Sequence, residues 1–83
     1  MYNQLFFEDL AGIVKYHRER SGLTRLELAR LAGVGKTVVF DIEHAKKTVQ
    51  LDTLLKILNV LNITIKLNGP LMKTYRKMTH EES

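Results

Sequence analysis

The sequence predicts an all-α domain of four or five helices followed by one β-strand, and three observations lead to this prediction. The chain has 83 residues, which is enough for one small hydrophobic core and too few for two. Apolar residues recur every three or four positions as far as Leu61. From Ile63 to Leu67 they alternate with polar residues, as in a half-buried strand.

The first predicted helix begins at Leu5 and ends near Arg20, where Ser21-Gly22 interrupts the pattern. Its charged residues fall on other faces than its apolar residues, as in an amphipathic helix. The face that we expect to turn inward carries Leu10, Ile13, Val14 and His17.

A second, short helix is predicted from local signals at its two ends. Thr24 and Glu27 have the spacing of a capping box, in which the threonine hydroxyl accepts from the third helical amide and the glutamate bonds back to the cap. The helix stops at Gly33, which supplies a turn. Ala29 is small where two short helices must cross, and we expect Val34 to anchor the turn in the core.

Two further helices follow the turn. The third is predicted from Lys36 to about His44, with Val39 and Ile42 facing inward and Val38 as a further candidate for the inward face. The fourth opens within residues 48–52 and carries an apolar stripe with helical spacing. The stripe consists of Leu51, Leu54, Leu55, Leu58 and Leu61.

The chain changes character after the fourth helix. A helical domain (5–62) is followed by a predicted strand (63–70) and a tail (71–83) that we expect to be mobile or ordered by a partner. A single strand leaves backbone groups unpaired, so a second copy of the chain is its natural partner and a homodimer is expected. The apolar side of this strand carries Ile63, Ile65 and Leu67.

Composition narrows the classes of function. Thirteen Lys and Arg residues against nine Asp and Glu residues give a net charge of +4, which favours a polyanionic partner. The chain has no cysteine, which excludes disulfides and thiolate metal sites and fits a reducing cytoplasm. Its first residues lack the basic segment of a secretion signal, and polar residues interrupt its most apolar stretch, 51–67. We therefore expect a cytoplasmic protein with no membrane partner.

Side chains suited to catalysis or metal binding are sparse. His17, His44 and His80 do not have the spacing of metal ligands. The serines, Ser21 and Ser83, lie at a helix end and at the C-terminus, so no nucleophile–base pair is indicated. We expect neither an enzyme nor a metal or cofactor site.

The second helix, the turn at residues 33–35 and the third helix form the most informative unit. Such a pair of helices can present its second member to the major groove of DNA, which is wide enough for one helix. On spacing alone, a helical corner without any ligand is the alternative.

Four motifs follow one another in this unit and in the fourth helix: Gly22-Leu23-Thr24-Arg25-Leu26-Glu27-Leu28-Ala29, Ala32-Gly33-Val34, Ile42-Glu43 and Leu51-Asp52-Thr53-Leu54-Leu55-Lys56-Ile57-Leu58. In this order they resemble the lambda-repressor-like helix-turn-helix family (the Xre/Cro type). The match covers about Leu10 to Leu61, and the strand directly after it is similar to that of HipB-type antitoxins. In those proteins two C-terminal strands pair across a homodimer, and the partner is a HipA-like serine/threonine kinase toxin.

The resemblance implies contacts with double-stranded operator DNA from the start of the second helix, from the recognition helix and from the loop after it. Lys36 and Thr37 suit guanine or phosphate, while Val38 or Phe40 suits a thymine methyl group. The residues placed at DNA-contacting positions are Arg25, Gly35, Lys36, Thr37, Val38, Phe40, Asp41, Lys46 and Lys47.

Two of these positions depart from the family pattern. Asp41 would repel phosphate, so it either accepts from cytosine or stays in solvent, and the second interpretation is favoured. Phe40 is alternatively a core or dimer residue. The resemblance further implies a structural ion pair between Arg18 and Glu43 that orients the recognition helix.

The predicted function is that of a sequence-specific transcriptional repressor. In the expected setting, a toxin–antitoxin operon, the homodimer binds its own promoter and a HipA-like kinase. The alternatives are a stand-alone Xre-type regulator without a toxin, and a protein-interaction module on the same fold.

Overall fold

The computed structural model describes residues 3–81, so Met1, Tyr2, Glu82 and Ser83 lie outside the described residues, as do the side chains of Asn3, Gln4, His80 and Glu81. Five α-helices follow one another along the chain, and no strand occurs within 3–81. They are α1 (Asn3–Arg20), α2 (Arg25–Ala32), α3 (Val38–Glu43), α4 (Leu51–Val60) and α5 (Met72–Glu81). Every helix of this part of the chain is too short or too polar to cross a bilayer.

The hydrophobic core lies between the first four helices. Each of them contributes residues that are buried from solvent, and each fully buried aliphatic side chain stabilises the fold by about 1.5–3 kcal/mol. The largest side chains with almost no exposed surface are Leu28, Ile57, Leu58, Val14 and Val39.

The first four helices end in the same way. The residue at the turn has a positive φ, and the next amide donates to the carbonyl five residues earlier, which is the Schellman motif. After α1 the turn residue is Gly22 and after α2 it is Gly33, as predicted. After α3 and α4 the same position is occupied by Ala45 and Asn62.

The start of α2 also agrees with the sequence prediction. Thr24 Oγ1 accepts from the amide of Glu27 at 3.0 Å, and Glu27 Oε1 accepts from the amide of Thr24 at 2.8 Å. The predicted capping box is therefore confirmed. These two hydrogen bonds satisfy amides that would otherwise lack a partner at the helix start.

The inward face of α1 differs from the predicted one. The structure buries Ala11, Val14 and Arg18, whereas Ile13 and His17 are exposed. The prediction is confirmed for Leu10 and Val14, which pack in or against the core, and wrong for Ile13 and His17. It followed apolar periodicity, and a charged residue that is buried by a partner does not enter that pattern. The apolar surface of Ile13 is thereby left at the outside of the domain.

The apolar stripe of α4 is buried only in part. Leu54, Leu58 and Leu61 are buried, and Ile57 joins them in the core. Leu51 and Leu55 are exposed, so the stripe is wider than the buried face of α4.

The segment after α4 has no regular structure from residue 63 to residue 69, and the predicted strand is not present in the single chain. Within residues 3–81 no segment pairs with it, and a strand is defined by such pairing. Ile63 packs against the core, while Ile65 and Leu67 are exposed. The single chain thus offers these residues no partner strand.

The part of the chain that we expect to be a tail contains a helix, α5, that the sequence analysis did not predict. Among residues 72–79 of this helix, whose side chains the structure describes, none belongs to the core or to the residues packed against the core. Leu71, Tyr75 and Met78 are exposed. The radius of gyration is 15.2 Å, against about 12 Å for a compact chain of this length, which fits a helix lying away from the core.

Candidate nucleic-acid interface

The α2–turn–α3 unit is fixed by small and apolar residues. Ala29 is buried where the helices approach each other, and Gly33 adopts a left-handed conformation with φ 71° that glycine accepts without strain. Val34 packs against the core directly after the turn. The direction of α3 relative to α2 is therefore set by packing on both sides of the turn.

The recognition helix α3 is shorter than predicted, because it begins at Val38 rather than at Lys36. Gly35, Lys36 and Thr37 form an exposed turn before it, and the amide of Val38 donates to Gly35 O at 3.1 Å. Val38 itself is half-buried and packs against the core. The exposed residues that lead into α3 thus lie in the connection before the helix and not in the first turn of the helix itself.

A buried carboxylate connects α3 to α1 and α2. The side chain of Glu43 is 0% exposed and accepts from Arg18 Nε at 2.6 Å and Arg18 Nη2 at 3.1 Å. It also accepts from Arg25 Nε at 3.0 Å. Arg18 Nη1 donates to the carbonyl of Leu23 at 2.9 Å. The ion pair between Arg18 and Glu43 that was expected is present, and Arg25 is an additional member.

This arrangement changes the acid–base properties of its members. Burial alone raises the pKa of Glu43, but the hydrogen bonds from Arg18 and Arg25 outweigh it, so the pKa lies below its ordinary value. The hydrogen bond to Glu43 raises the pKa of Arg18. Glu43 is therefore ionised at neutral pH, and its charge holds two arginines in place.

Arg25, an expected DNA contact, is shared between this ion pair and the exposed surface. Its side chain is 40% exposed, and its guanidinium lies 5.5 Å from the centre of the Phe40 ring. The ring of Phe40 stacks on that of His44, with ring centres 3.8 Å apart. Because Phe40 is 48% exposed, its alternative interpretation as a core residue is wrong. The spacing of Phe40 and His44, which are four residues apart with His44 directly after the last residue of α3, could have indicated this stack.

Asp41 and Lys46 form a second ion pair, 3.6 Å apart. The favoured interpretation placed Asp41 in solvent, whereas its side chain is partly covered and lies beside a cation. The lysine offsets the negative charge that would repel a phosphate at this position. Lys47 is exposed next to it in the same loop.

The expected contact residues therefore lie within one connected part of the structure, from the start of α2 to the loop after α3. Four of them are cations: Arg25, Lys36, Lys46 and Lys47. Asp41, one of the others, is already paired with a cation. The residues expected at the dimer interface, in contrast, lie in the segment after α4. Together with Lys46 and Lys47 of the loop after α3, this part of the surface has an excess of cations and carries the exposed ring of Phe40.

Comparison with known proteins places this unit in a family. A family model described as Helix-turn-helix (HTH_3) matches residues 14–68, which include α2, α3, α4 and the C-terminal part of α1. The chain belongs to this helix-turn-helix family. Membership of this family supports the interpretation of the chain as a DNA-binding regulator.

Two similar proteins support the same conclusion. An uncharacterized HTH-type transcriptional regulator, y4mF, from Sinorhizobium fredii is 34% identical over 62 residues, which are 75% of this chain and 82% of that protein. A solved structure named MDT Protein superposes with a TM-score of 0.68 at 28% identity. That match covers 77% of this chain and 90% of the other. Both relatives extend the likeness over three quarters of this helix-turn-helix protein.

Proposed function

We propose that this protein is a homodimeric, sequence-specific transcriptional repressor that reads operator DNA with the exposed end of α3. The observation that carries the proposal is the turn Gly35-Lys36-Thr37 at the start of a helix that buried ion pairs hold in a fixed orientation. B-form DNA admits one helix in its major groove and presents a distinct pattern of donors and acceptors there. A rigid helix with a polar, exposed start fits this form of recognition.

The surrounding residues have separate roles in this proposal. Lys36 and Thr37 contact base edges, and the ring of Phe40 contacts a thymine methyl group. Lys46 and Lys47 neutralise phosphates beside the groove. Arg25 contacts phosphate through its terminal nitrogens, since its Nε is held by Glu43.

Base contacts and phosphate contacts are distinguished by comparing cognate and random duplexes. We expect Lys36→Ala or Thr37→Ala to weaken binding to the protein's own promoter by about 1–3 kcal/mol. The same variants should weaken binding to random DNA much less. Lys56→Ala, an exposed lysine of α4 outside this surface, is the matched control and should leave both affinities unchanged. Equal losses on cognate and random duplexes would remove the sequence-reading role from this turn.

The dimer is proposed to form through residues 63–67. Ile65 and Leu67 are exposed in the single chain, and pairing across a two-fold axis would satisfy the backbone groups of both copies. Two recognition helices would then lie about 34 Å apart, so the operator is expected to be a near-palindrome.

Replacement of Ile65 by proline tests this interface. Proline removes a backbone donor and an apolar contact together, so the variant should remain helical but lose the dimer at micromolar concentration. It should also lose most of its operator affinity because each half would then bind alone. Sedimentation and circular dichroism are the measurements, and a dimeric Ile65→Pro variant with unchanged operator affinity would show that this segment is not the interface.

We further propose that the protein is the antitoxin of a toxin–antitoxin operon and binds a HipA-like serine/threonine kinase. This proposal is supported by the resemblance of residues 63–67, directly after the last helix of the family unit, to the strand of HipB-type antitoxins. Purification from the host followed by identification of co-eluting proteins should yield such a kinase. The purified kinase should bind a complex of the protein with operator DNA. Absence of a kinase would leave a stand-alone Xre-type regulator, and absence of DNA binding would leave a protein-interaction module.

A further inference from the structure

An apolar groove lies on the side of the domain formed by α1, α4 and the segment after α4. It has a volume of about 290 Å³, comparable to that of one or two large side chains. Asp9 is the charged residue among those that line it within the described part of the chain. The other lining residues are Phe6, Leu10, Ile13, Leu54, Leu58, Ile63, Thr64 and Ile65.

The helix α5 has a face of complementary character. Met72, Tyr75 and Met78 recur every three residues and form an apolar stripe that continues from Leu71. The flanking positions carry the cations Lys73, Arg76 and Lys77. The stripe and the cations match the apolar groove and the carboxylate of Asp9 at its edge.

The structure also shows that the apolar stripe of α5 is not packed against the core of its own chain. Tyr75 and Met78 are exposed, and the described side chains of α5 contribute nothing to the core. Its attachment to the preceding segment includes a hydrogen bond from Arg76 Nη2 to Leu67 O of 2.9 Å. A helix of ten residues is marginal in water without packing, so α5 needs an apolar surface against which to fold.

We propose that α5 of one copy docks into the α1–α4 groove of the second copy. The proposal rests on the dimer proposed above, in which a two-fold axis makes the paired segments antiparallel. The chain that leaves Leu67 of one copy then passes Ile63 of the other, and Ile63 lines the groove. The connection at residues 68–71 spans up to about 13 Å, which reaches the groove.

Docking of this kind places the apolar stripe of α5 over Phe6 and Ile13 of the second copy, both exposed in the single chain. The cations of α5 come near Asp9, so charge fixes the direction in which the helix lies. The two copies are then joined by exchange of their C-terminal helices as well as by their paired segments.

Cross-linking between copies tests the proposal, and the natural chain simplifies it because it has no cysteine. A chain with Tyr75→Cys is mixed with a chain with Ile13→Cys, and a short bismaleimide cross-linker is added. We expect a link between positions 75 and 13 of different chains, identified by peptide mass. Mixing Tyr75→Cys with Leu31→Cys, an exposed residue of α2 that does not line the groove, is the matched control and should give no link.

A second measurement is the affinity of the dimer. Tyr75→Asp with Met78→Asp should weaken dimerisation at least about tenfold, because two apolar side chains at the centre of a contact become charged. Leu31→Asp should leave it unchanged. A dimer that keeps its affinity in the first variant, or a link from 13 to 75 within one chain of the double variant, would overturn the inference while leaving the dimer in place. A monomeric unmodified protein would overturn the proposed dimer and this inference with it.

Discussion

Replacement of Glu43 by glutamine should destabilise the protein more than any exposed substitution. Its side chain is fully buried and its partner Arg18 is 10% exposed, so the change leaves a buried cation without its counter-charge. Breaking a buried pair by removing one partner typically costs about 3–5 kcal/mol. We expect about 3 kcal/mol, since glutamine keeps one acceptor, and a domain of this size has only about 4–12 kcal/mol of total stability. The corresponding fall in Tm is about 12–24 °C.

The assay is urea unfolding followed by circular dichroism at a fixed protein concentration, because a dimer would make stability depend on concentration. Glu19→Gln is the matched control. Glu19 lies 3.9 Å from the same arginine but is 57% exposed, and an exposed pair contributes about 0–1 kcal/mol. If both variants lose the same small amount, Glu43 does not hold the helices together and the reasoning fails.

Four further outcomes follow from the same structure. The pKa of Glu43 lies below its ordinary value of 4.5, so its stabilisation is present above pH 4.5 and is lost as the pH falls through the lower pKa of the folded state. In acid, the free energy of unfolding should therefore fall more steeply with decreasing pH for the natural chain than for Glu43→Gln. Thr24→Ala should cost about 1 kcal/mol in urea unfolding through loss of the capping box, unlike Thr74→Ala on exposed α5. Gly33→Ala should destabilise by about 1 kcal/mol or more because φ is 71°, and equal midpoints would contradict the left-handed turn. Ala45→Gly should stabilise by up to about 1 kcal/mol in the same assay, since Ala45 has φ 60°, and a loss of stability would count against the Schellman end of α3.

The features that could be predicted from sequence are those encoded by neighbouring residues. The capping box of Thr24 and Glu27 and the turn at Gly33 each depend on a few consecutive residues, so both ends of α2 were predicted. The order of motifs around them was sufficient to indicate the family.

Features that depend on distant partners could not be predicted in the same way. Arg18 is buried only because Glu43, 25 residues later, supplies a carboxylate, and its burial rotates the inward face of α1 away from Ile13. The placement of Arg25 against both Glu43 and Phe40 is likewise a tertiary effect. The position of Arg25 was expected from the family, but its attachment to the core was not.

The helix α5 was missed for a different reason. Its apolar residues, Met72, Tyr75 and Met78, are few and are separated by three cations and one threonine, so the segment resembles a polar tail in composition. The spacing of three residues was the signal that predicts a helix. Such a short stripe gains stability only from a surface that covers it.

The salt dependence of duplex binding tests the central claim, that a basic helix-turn-helix surface binds DNA. The observed affinity for the protein's own promoter should fall linearly on a log–log plot against salt, with a slope of about −0.9 per neutralised phosphate. Lys46→Ala with Lys47→Ala should flatten this slope by about two. An affinity that is independent of salt, or a slope unchanged in the double variant, would contradict the phosphate contacts assigned to the loop after α3.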